Sequence, residues 1–247
     1  MEAVPTQLSA HQEEVLDNMA WHALTGPHAE FAEGDGPALR YRRSMATFCA
    51  TERLDDAGWS ALADLVGAGR AIVLFQPDIG PAPAYTDEIF RSFTWQMVAD
   101  GPLTPQPVAD DGVEVIELGD DDAEEMLALV ELTEPGPFFP ETNRLGTYLG
   151  VRQNGRLLAM AGERLRASGV AEISAVCTHP DARRRGLGGL LTMAMADVMK
   201  ERGDLPMLHV AKDNALAIPL YEQLGFRIRR QVEAIATRVH ADWVNTL

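Results

Sequence analysis

Val176-Cys177-Thr178-His179-Pro180-Asp181-Ala182-Arg183-Arg184-Arg185-Gly186-Leu187-Gly188-Gly189-Leu190-Leu191 is the stretch that decides how this chain reads. A strand ends near Thr178 and a helix begins near Gly186, with three arginines and three glycines at the junction. Glycines let backbone N–H groups approach a ligand closely, and a helix N-terminus offers unpaired donors and partial positive charge. The arginines add full charges, so the turn suits a phosphate or pyrophosphate. It is not a Walker A loop, because no Gly-Lys-Ser/Thr follows. Nor is it a dinucleotide fingerprint: after Gly186 and Gly188 a third glycine is due at 191, where Leu191 stands. Taken alone, the stretch could equally be a turn that only permits tight helix–strand packing.

A second segment starts 28 residues after Gly186: Asn214-Ala215-Leu216-Ala217-Ile218-Pro219-Leu220-Tyr221-Glu222-Gln223-Leu224-Gly225-Phe226. Asn214 suits a helix start. Leu216, Leu220 and Leu224 form an apolar stripe expected in the core. Gly225 ends the helix and Phe226 opens the next strand. Tyr221 lies on this helix beside the stripe.

Working outward, charge and composition exclude several function classes. The 247 residues carry 37 acidic and 21 basic side chains, net −16. Such a chain is poorly suited to displacing counterions from nucleic acid or to docking on an anionic membrane. Yet residues 176–230 hold 9 bases against 6 acids. A positive segment in an acidic protein points to a small anion rather than a polyanion. Hydrophobic content of 46% is that of a globular protein. Two cysteines, Cys49 and Cys177, provide neither a disulfide framework nor a cysteine-rich zinc site, and a reducing cytoplasm fits. The first basic residue is Arg40, so no positively charged leader is expected, and the apolar runs fall far short of the ~20 residues that span a bilayer.

Periodicity gives an α/β pattern with a mixed sheet. Ser9 and Gln12 form a capping-box pattern before a first helix. Ala38–Phe48 has strand character, Asp56–Val66 helix spacing, and Ala71–Phe75 and Phe93–Val98 read as strands. Pro102, Pro105 and Pro107 mark Gly101–Asp111 as the best linker candidate, with the boundary drawn at residues 106–111. Val113–Leu118 is a strand, and Asp121–Leu132 a helix with an acidic first turn. Gly146–Arg152 and Arg156–Arg166 form a hairpin about Asn154-Gly155. Glu172–Thr178, Gly186–Arg202, Pro206–Ala211, Asn214–Leu224 and Arg227–Arg238 follow as strand, helix, strand, helix and one or two closing strands. The expected division is an N-terminal domain, 1–105, and a second domain, 112–247.

The two motif segments together resemble the GNAT superfamily of N-acetyltransferases. The pattern V-x-T-x-P-x-x-R-x-x-G-x-G is met by Val176, Thr178, Pro180, Arg183, Gly186 and Gly188. The pattern N-x-x-A-x-x-L-Y-x-x-x-G-F is met by Asn214, Ala217, Leu220, Tyr221, Gly225 and Phe226. The resemblance covers about residues 112–240. Residues 36–100 do not carry the motifs, and their mixed pattern is compatible with a degenerate GNAT-like half.

The resemblance implies a mixed central sheet with flanking helices that binds acetyl-CoA between two splayed parallel strands, here Glu172–Thr178 and Pro206–Ala211. Val176, Cys177 and Thr178 would pair with the pantetheine arm as an added strand. Backbone groups from Arg184 through Gly186, Leu187, Gly188 and Gly189 would hold the pyrophosphate, supported by the side chains of Arg183, Arg184 and Arg185. Asn214 would bond the pantetheine end. An amine would attack the thioester directly, with the Val176 N–H stabilising the oxyanion. Tyr221 matches the family's general-acid tyrosine, and is otherwise a packed helix tyrosine. Glu172 is the base candidate, acting directly or through water, and is otherwise an exposed strand-end carboxylate. Glu163 is the reserve. No metal is implied.

Other residues have plainer readings. Cys177 sits where a small core hydrophobe belongs, and His209 reads as a hydrogen-bonded core histidine. The acceptor segment would be Glu134–Thr142, where Phe138, Phe139, Glu134 and Glu141 could receive a cationic amine on an apolar body, or equally a rigid loop that packs Phe138 and Phe139 into the core. The expected acceptor is a small-molecule or peptide amine. Whether residues 1–105 shape its pocket or make a homodimer contact stays open at this level. So do two rivals: a non-catalytic acyl-CoA-binding module, and an acyltransferase for longer chains.

Overall fold

A computed structural model describes residues 7–109 and 113–245. Its N-terminal part comprises α1 (Ala10–Asp17), α2 (Met19–Leu24), β1 (Ala32–Glu33), β2 (Ala38–Tyr41), β3 (Cys49–Thr51), α3 (Asp56–Val66), β4 (Ala71–Gln76) and β5 (Thr86–Val98). After residue 112 come β6 (Val115–Leu118), α4 (Ala123–Thr133), β7 (Tyr148–Gln153), β8 (Arg156–Ala167), β9 (Val170–Thr178), α5 (Leu187–Glu201), β10 (Leu205–Ala211), α6 (Ala217–Leu224) and β11 (Arg227–Val239). The mixed α/β class is the expected one.

Local chemistry sets several of these boundaries. The Ser9–Gln12 capping box forms, with Ser9 Oγ accepting from the Gln12 N–H at 3.2 Å. The first helix is nevertheless broken at Asn18, whose side chain donates to the Thr51 carbonyl at 2.9 Å. Asn154 and Gly155 take φ of 53° and 79°, the pair of left-handed residues that a tight β7–β8 hairpin needs. Ala38–Phe48 yields a strand only as far as Tyr41, because Arg42–Met45 turn back through the Met45 N–H to the Arg42 carbonyl.

One eight-stranded sheet has the order β4-β11-β5-β10-β9-β8-β7-β6, and β1-β2-β3 form a small second sheet. The large sheet runs through the expected division at 106–111, since β5 pairs antiparallel with both β10 and β11. Residues 106–109 lie against the helix ends: the Ala109 N–H donates to the Arg185 carbonyl, and Gln106 Nε2 to the Gln223 carbonyl. Residues 110 and 111 of that segment lie outside the described residues.

Sheet pleating sorts side chains into two sets. Ile173 of β9 and Leu208 and Val210 of β10 pack with Leu191, Met195 and Leu224 of α5 and α6. Neighbours of opposite parity, Val170 and Met207, pack with Met19, Ala23 and Leu24 of α2. Glu172 and His209 share that second parity. No helix among the described residues is long and apolar enough to cross a membrane.

Candidate active site

The site exists because one parallel ladder stops early. β9 and β10 pair from Val170↔Leu205 to Ile173↔Leu208 and no further. β10 stays bonded to β5 as far as Ala211. β9 instead bulges: its register against β8 runs from Ser174↔Gly162 to Cys177↔Met160, one residue extra, with Ala175 at φ 52°. A bulge bends its strand and adds twist. The strands therefore splay, and a cleft of about 460 Å³ opens between them.

Residues 174–178 of β9 and His209–Ala211 of β10 line this cleft, together with Arg183, Asn214, Ala217 and Tyr221. Thr133, Glu134 and Pro135 close it at the end of α4, and Arg164 and Ile173 form part of its floor.

The arginine–glycine turn stands at the mouth. Arg184 has φ 63° and Gly186 φ 83°, and Gly186 caps α5. A Cβ on Gly186 would lie 2.5 Å from the Pro107 carbonyl oxygen, so this glycine is required by the protein itself. Gly188 differs. A Cβ there would meet Val176 Cγ1 at 3.8 Å and Thr178 Oγ1 at 4.0 Å, ordinary contacts. Leu187 is buried under the helix start, and Gly189 faces Leu220 and Leu224. Arg183 and Arg184 are exposed, whereas Arg185 Nη1 donates to Gln153 Oε1 at 3.2 Å.

Asn214 and Tyr221 reach the same cleft from the other side. Asn214 Oδ1 accepts from the Ala217 N–H at 3.0 Å and opens α6. Leu216 departs from the expected stripe: it is 88% exposed, because the helix begins only at Ala217 and the chain before it is still turning outward. Tyr221 is 9% exposed and packs against Phe226. Its hydroxyl has no hydrogen-bond partner among the described residues, and burial pushes its pKa up to about 12. It is a protonated phenol across the neutral range.

Glu172 is fully buried, not exposed at a strand end, and does not line the cleft. Its carboxylate takes Arg164 Nε at 3.0 Å and Nη2 at 2.5 Å, and His209 Nδ1 at 2.8 Å. Burial raises its pKa, but Arg164 and then His209 outweigh that and hold it at about 2. Arg164 lies over the rings of Phe48 and Phe75, at 5.1 and 5.3 Å. His209 is held neutral by burial, and its Nε2 faces the Gln96 amide nitrogen at 3.3 Å. It is hydrogen-bonded as the sequence suggested, yet it also lines the cleft. Glu163 is buried and bound to Arg202 at 2.6 Å. Cys177 is buried beside Met160 and Tyr148, and burial pushes its thiol up to about 11.

Phe138, Phe139 and Glu141 do not line the cleft. Phe138 packs edge-on against Tyr148 at 5.8 Å, and the Glu141 carboxylate accepts from Ser44 and Arg144. Thr142 Oγ1 donates to the Met45 carbonyl at 2.6 Å, so this loop is sewn to the 44–48 turn. Of the expected acceptor segment, Glu134 and Pro135 reach the cleft, with Thr133 beside them. Glu134 is also the only carboxylate among the described lining residues. Arg164, which sequence reasoning passed over, reads as an ordinary strand residue until the ladder places it.

Residues 148–235 match the family of FR47-like proteins. Over 91% of this chain and 98% of the other, the fold matches a structure from Novosphingobium aromaticivorans, assigned to the GNAT family as an acetyltransferase, with 39% identity and TM-score 0.80. A segment of 58 residues is 43% identical to the mycothiol acetyltransferase of Rhodococcus opacus, covering 23% of this chain and 19% of that protein. Another of 52 residues is 44% identical to the ribosomal protein bS18-alanine N-acetyltransferase of Salmonella typhimurium, 21% of this chain and 35% of that one. These matches span about a fifth to a third of those curated relatives.

Proposed function

This chain belongs to the GNAT family of acetyltransferases, and from that premise we propose that it moves an acetyl group from acetyl-CoA to a primary amine by direct attack in a ternary complex. The observation that carries the reading is the splay of β9 from β10 after Ile173 and Leu208, which opens beside the Arg183–Gly189 turn. The residues present fit the cosubstrate. The Ser174–Thr178 edge has no strand partner on the β10 side among the described residues. Arg183 and Arg184 have no anionic partner among the described residues. No contact with the described residues demands glycine at 188, so its missing side chain leaves room above the helix N-terminus.

Acetyl-CoA supplies an activated acetyl thioester. Val176 to Thr178 bind the pantetheine arm through backbone groups. The N–H groups of Arg184 to Gly189 and the side chains of Arg183 to Arg185 hold the pyrophosphate. Val176 offers a backbone N–H to the developing negative oxygen. Asn214 bonds the pantetheine end of the cosubstrate.

Two proton movements remain for side chains. Tyr221 holds its proton at neutral pH and is the donor to the leaving sulfur. Glu172 is committed to Arg164 and His209, so we assign it a positioning role at the cleft floor rather than that of a direct base. Glu134, the carboxylate at the α4 end of the cleft, receives the ammonium of the acceptor and takes its proton. Thr133 and Pro135 border the acceptor entrance.

The test is a calorimetric titration of acetyl-CoA, repeated on a variant with Arg183, Arg184 and Arg185 changed to alanine. Micromolar binding that collapses in the variant supports the reading, and an amine panel scored by thiol release then identifies the acceptor class. Absence of binding to acetyl-CoA in the unaltered protein overturns it.

A further inference from the structure

A second place gathers unpaired arginines. Of the chain's 19 arginines, five have side chains with no hydrogen-bond or ion-pair partner among the described residues: Arg43, Arg70, Arg183, Arg184 and Arg238. In a chain of net charge −16, with carboxylates in large excess, an unpaired guanidinium needs a reason. Arg183 and Arg184 have one in the cofactor turn. The other three lie together elsewhere.

Arg43 and Arg70 line a cavity of about 340 Å³ that Arg40 also lines. Arg238 stands opposite Ala71, another lining residue, in the β4–β11 ladder. Directly opposed residues project to the same face of a sheet, so Arg238 shares the face of Ala71, with Asp87 opposite it on β5. Glu33, which accepts from Arg40 Nε at 2.9 Å, is the one described carboxylate that pairs with any of the four. Arg40 Nη1 remains buried in the cavity wall without a partner. A buried donor left unsatisfied is costly, and more so when charged. Cys49 lines the same cavity wall as Arg40 and Arg43.

The rest of the lining is apolar: Val66, Val73, Ala71 and Phe139. We infer that this cavity is a ligand site for an organic carboxylate with a compact apolar body. The guanidinium groups present the planar donor fork that matches a carboxylate, and the apolar walls favour an organic anion over a bare inorganic one. The volume is that of a small-molecule pocket. Phe139, Ala46 and Thr47 border both this cavity and a narrow gap that ends at Arg164, which faces the cofactor cleft. The carboxylate therefore belongs either to the acceptor itself or to a separate modulator bound behind it.

The probe is hexanoate, titrated calorimetrically into the full chain. Saturable one-to-one binding is expected, falling about a hundredfold when Arg43 and Arg70 are both changed to alanine, roughly tenfold for each charged partner lost. Hexylamine does not bind at this site, and inorganic phosphate binds more weakly than hexanoate. Acetyl-CoA affinity of the double variant stays within about twofold of the parent, which shows that it folds and separates this site from the cofactor cleft. Arg70→Glu, a single exposed change, gives the same loss should the double variant fold poorly. A raised KM for 6-aminohexanoate but not for hexylamine assigns the carboxylate to the acceptor. A change in hexylamine turnover on adding hexanoate assigns it to a modulator. Hexanoate that does not saturate, that binds the arginine variants as well as the parent, or that is matched by hexylamine overturns the site.

Discussion

His209 Nδ1 stands 2.8 Å from Glu172 Oε1, on a buried carboxylate whose two oxygens also take the guanidinium of Arg164. Removing the charge from Glu172 leaves Arg164 buried without its counterion. Breaking one side of such a pair typically costs about 3–5 kcal/mol. Glu172→Gln should lower the urea midpoint accordingly. The pH dependence has a definite sign. The folded pKa of about 2 lies below the ordinary 4.5, so the carboxylate stabilises the fold above pH 4.5. That contribution, about 3 kcal/mol, fades as pH falls from 4.5 toward 2. His209, kept neutral by burial, loses stability in the same direction below its ordinary 6.5. The Gln variant should show a shallower acid limb between pH 5 and 3, and a parallel limb would refute the assignment.

Glu134 and Glu172 separate cleanly in activity. Glu134→Gln should lower kcat/KM by about a hundredfold or more, with acetyl-CoA affinity unchanged. The chain should keep its unfolding midpoint, because Glu134 is an exposed helix end whose backbone N–H, donating to the Val130 carbonyl, is untouched by the change. A variant that keeps full activity would move the proton-accepting role away from Glu134.

Tyr221 gives the complementary test. Tyr221→Phe keeps the ring packed against Phe226 and removes the hydroxyl that carries the proton. The expected loss is about a hundredfold in kcat with little change in acetyl-CoA affinity. Because burial holds the phenol near pKa 12, the parent enzyme should show no alkaline fall from this group below about pH 11. An alkaline limb near pH 9 that vanishes in the Phe variant would contradict this.

Much of the architecture was legible because short-range chemistry writes it. Asn154-Gly155 sets the β7–β8 hairpin, the Ser9 box starts α1, and the glycines and arginines at 183–189 mark a strand-to-helix junction. What was not legible depends on residues far apart in sequence meeting across strands. Thr86–Val98 alternates weakly, so its pairing with β10 and β11 gave no signal in either segment alone. Glu172 looks like a free carboxylate until β8 brings Arg164 to it and β10 brings His209. Phe138 and Phe139 stand out as aromatics, yet bonds from this loop to Ser44 and Met45 direct it away from the cleft, which only its first residues, Glu134 and Pro135, reach.

The two outer glycines of Gly186-Leu187-Gly188 should fail in opposite ways. Gly186 holds φ 83°, and a Cβ would press on the Pro107 carbonyl at 2.5 Å. Gly186→Ala therefore destabilises by about 1–3 kcal/mol, by backbone strain together with displacement of the 106–109 segment. Gly188 lies in the first turn of α5, where alanine is the better helix former and an added methyl makes only ordinary contacts. Gly188→Ala should leave the unfolding midpoint unchanged or raise it by up to about 1 kcal/mol. The same methyl projects toward the space proposed for the cosubstrate beside Val176 and Thr178, so acetyl-CoA should bind at least about tenfold more weakly. Denaturant titration and calorimetry on the two variants read both effects. A Gly188→Ala protein that binds acetyl-CoA like the parent would leave that glycine with no ligand to make room for, and would count against a pyrophosphate at this helix end.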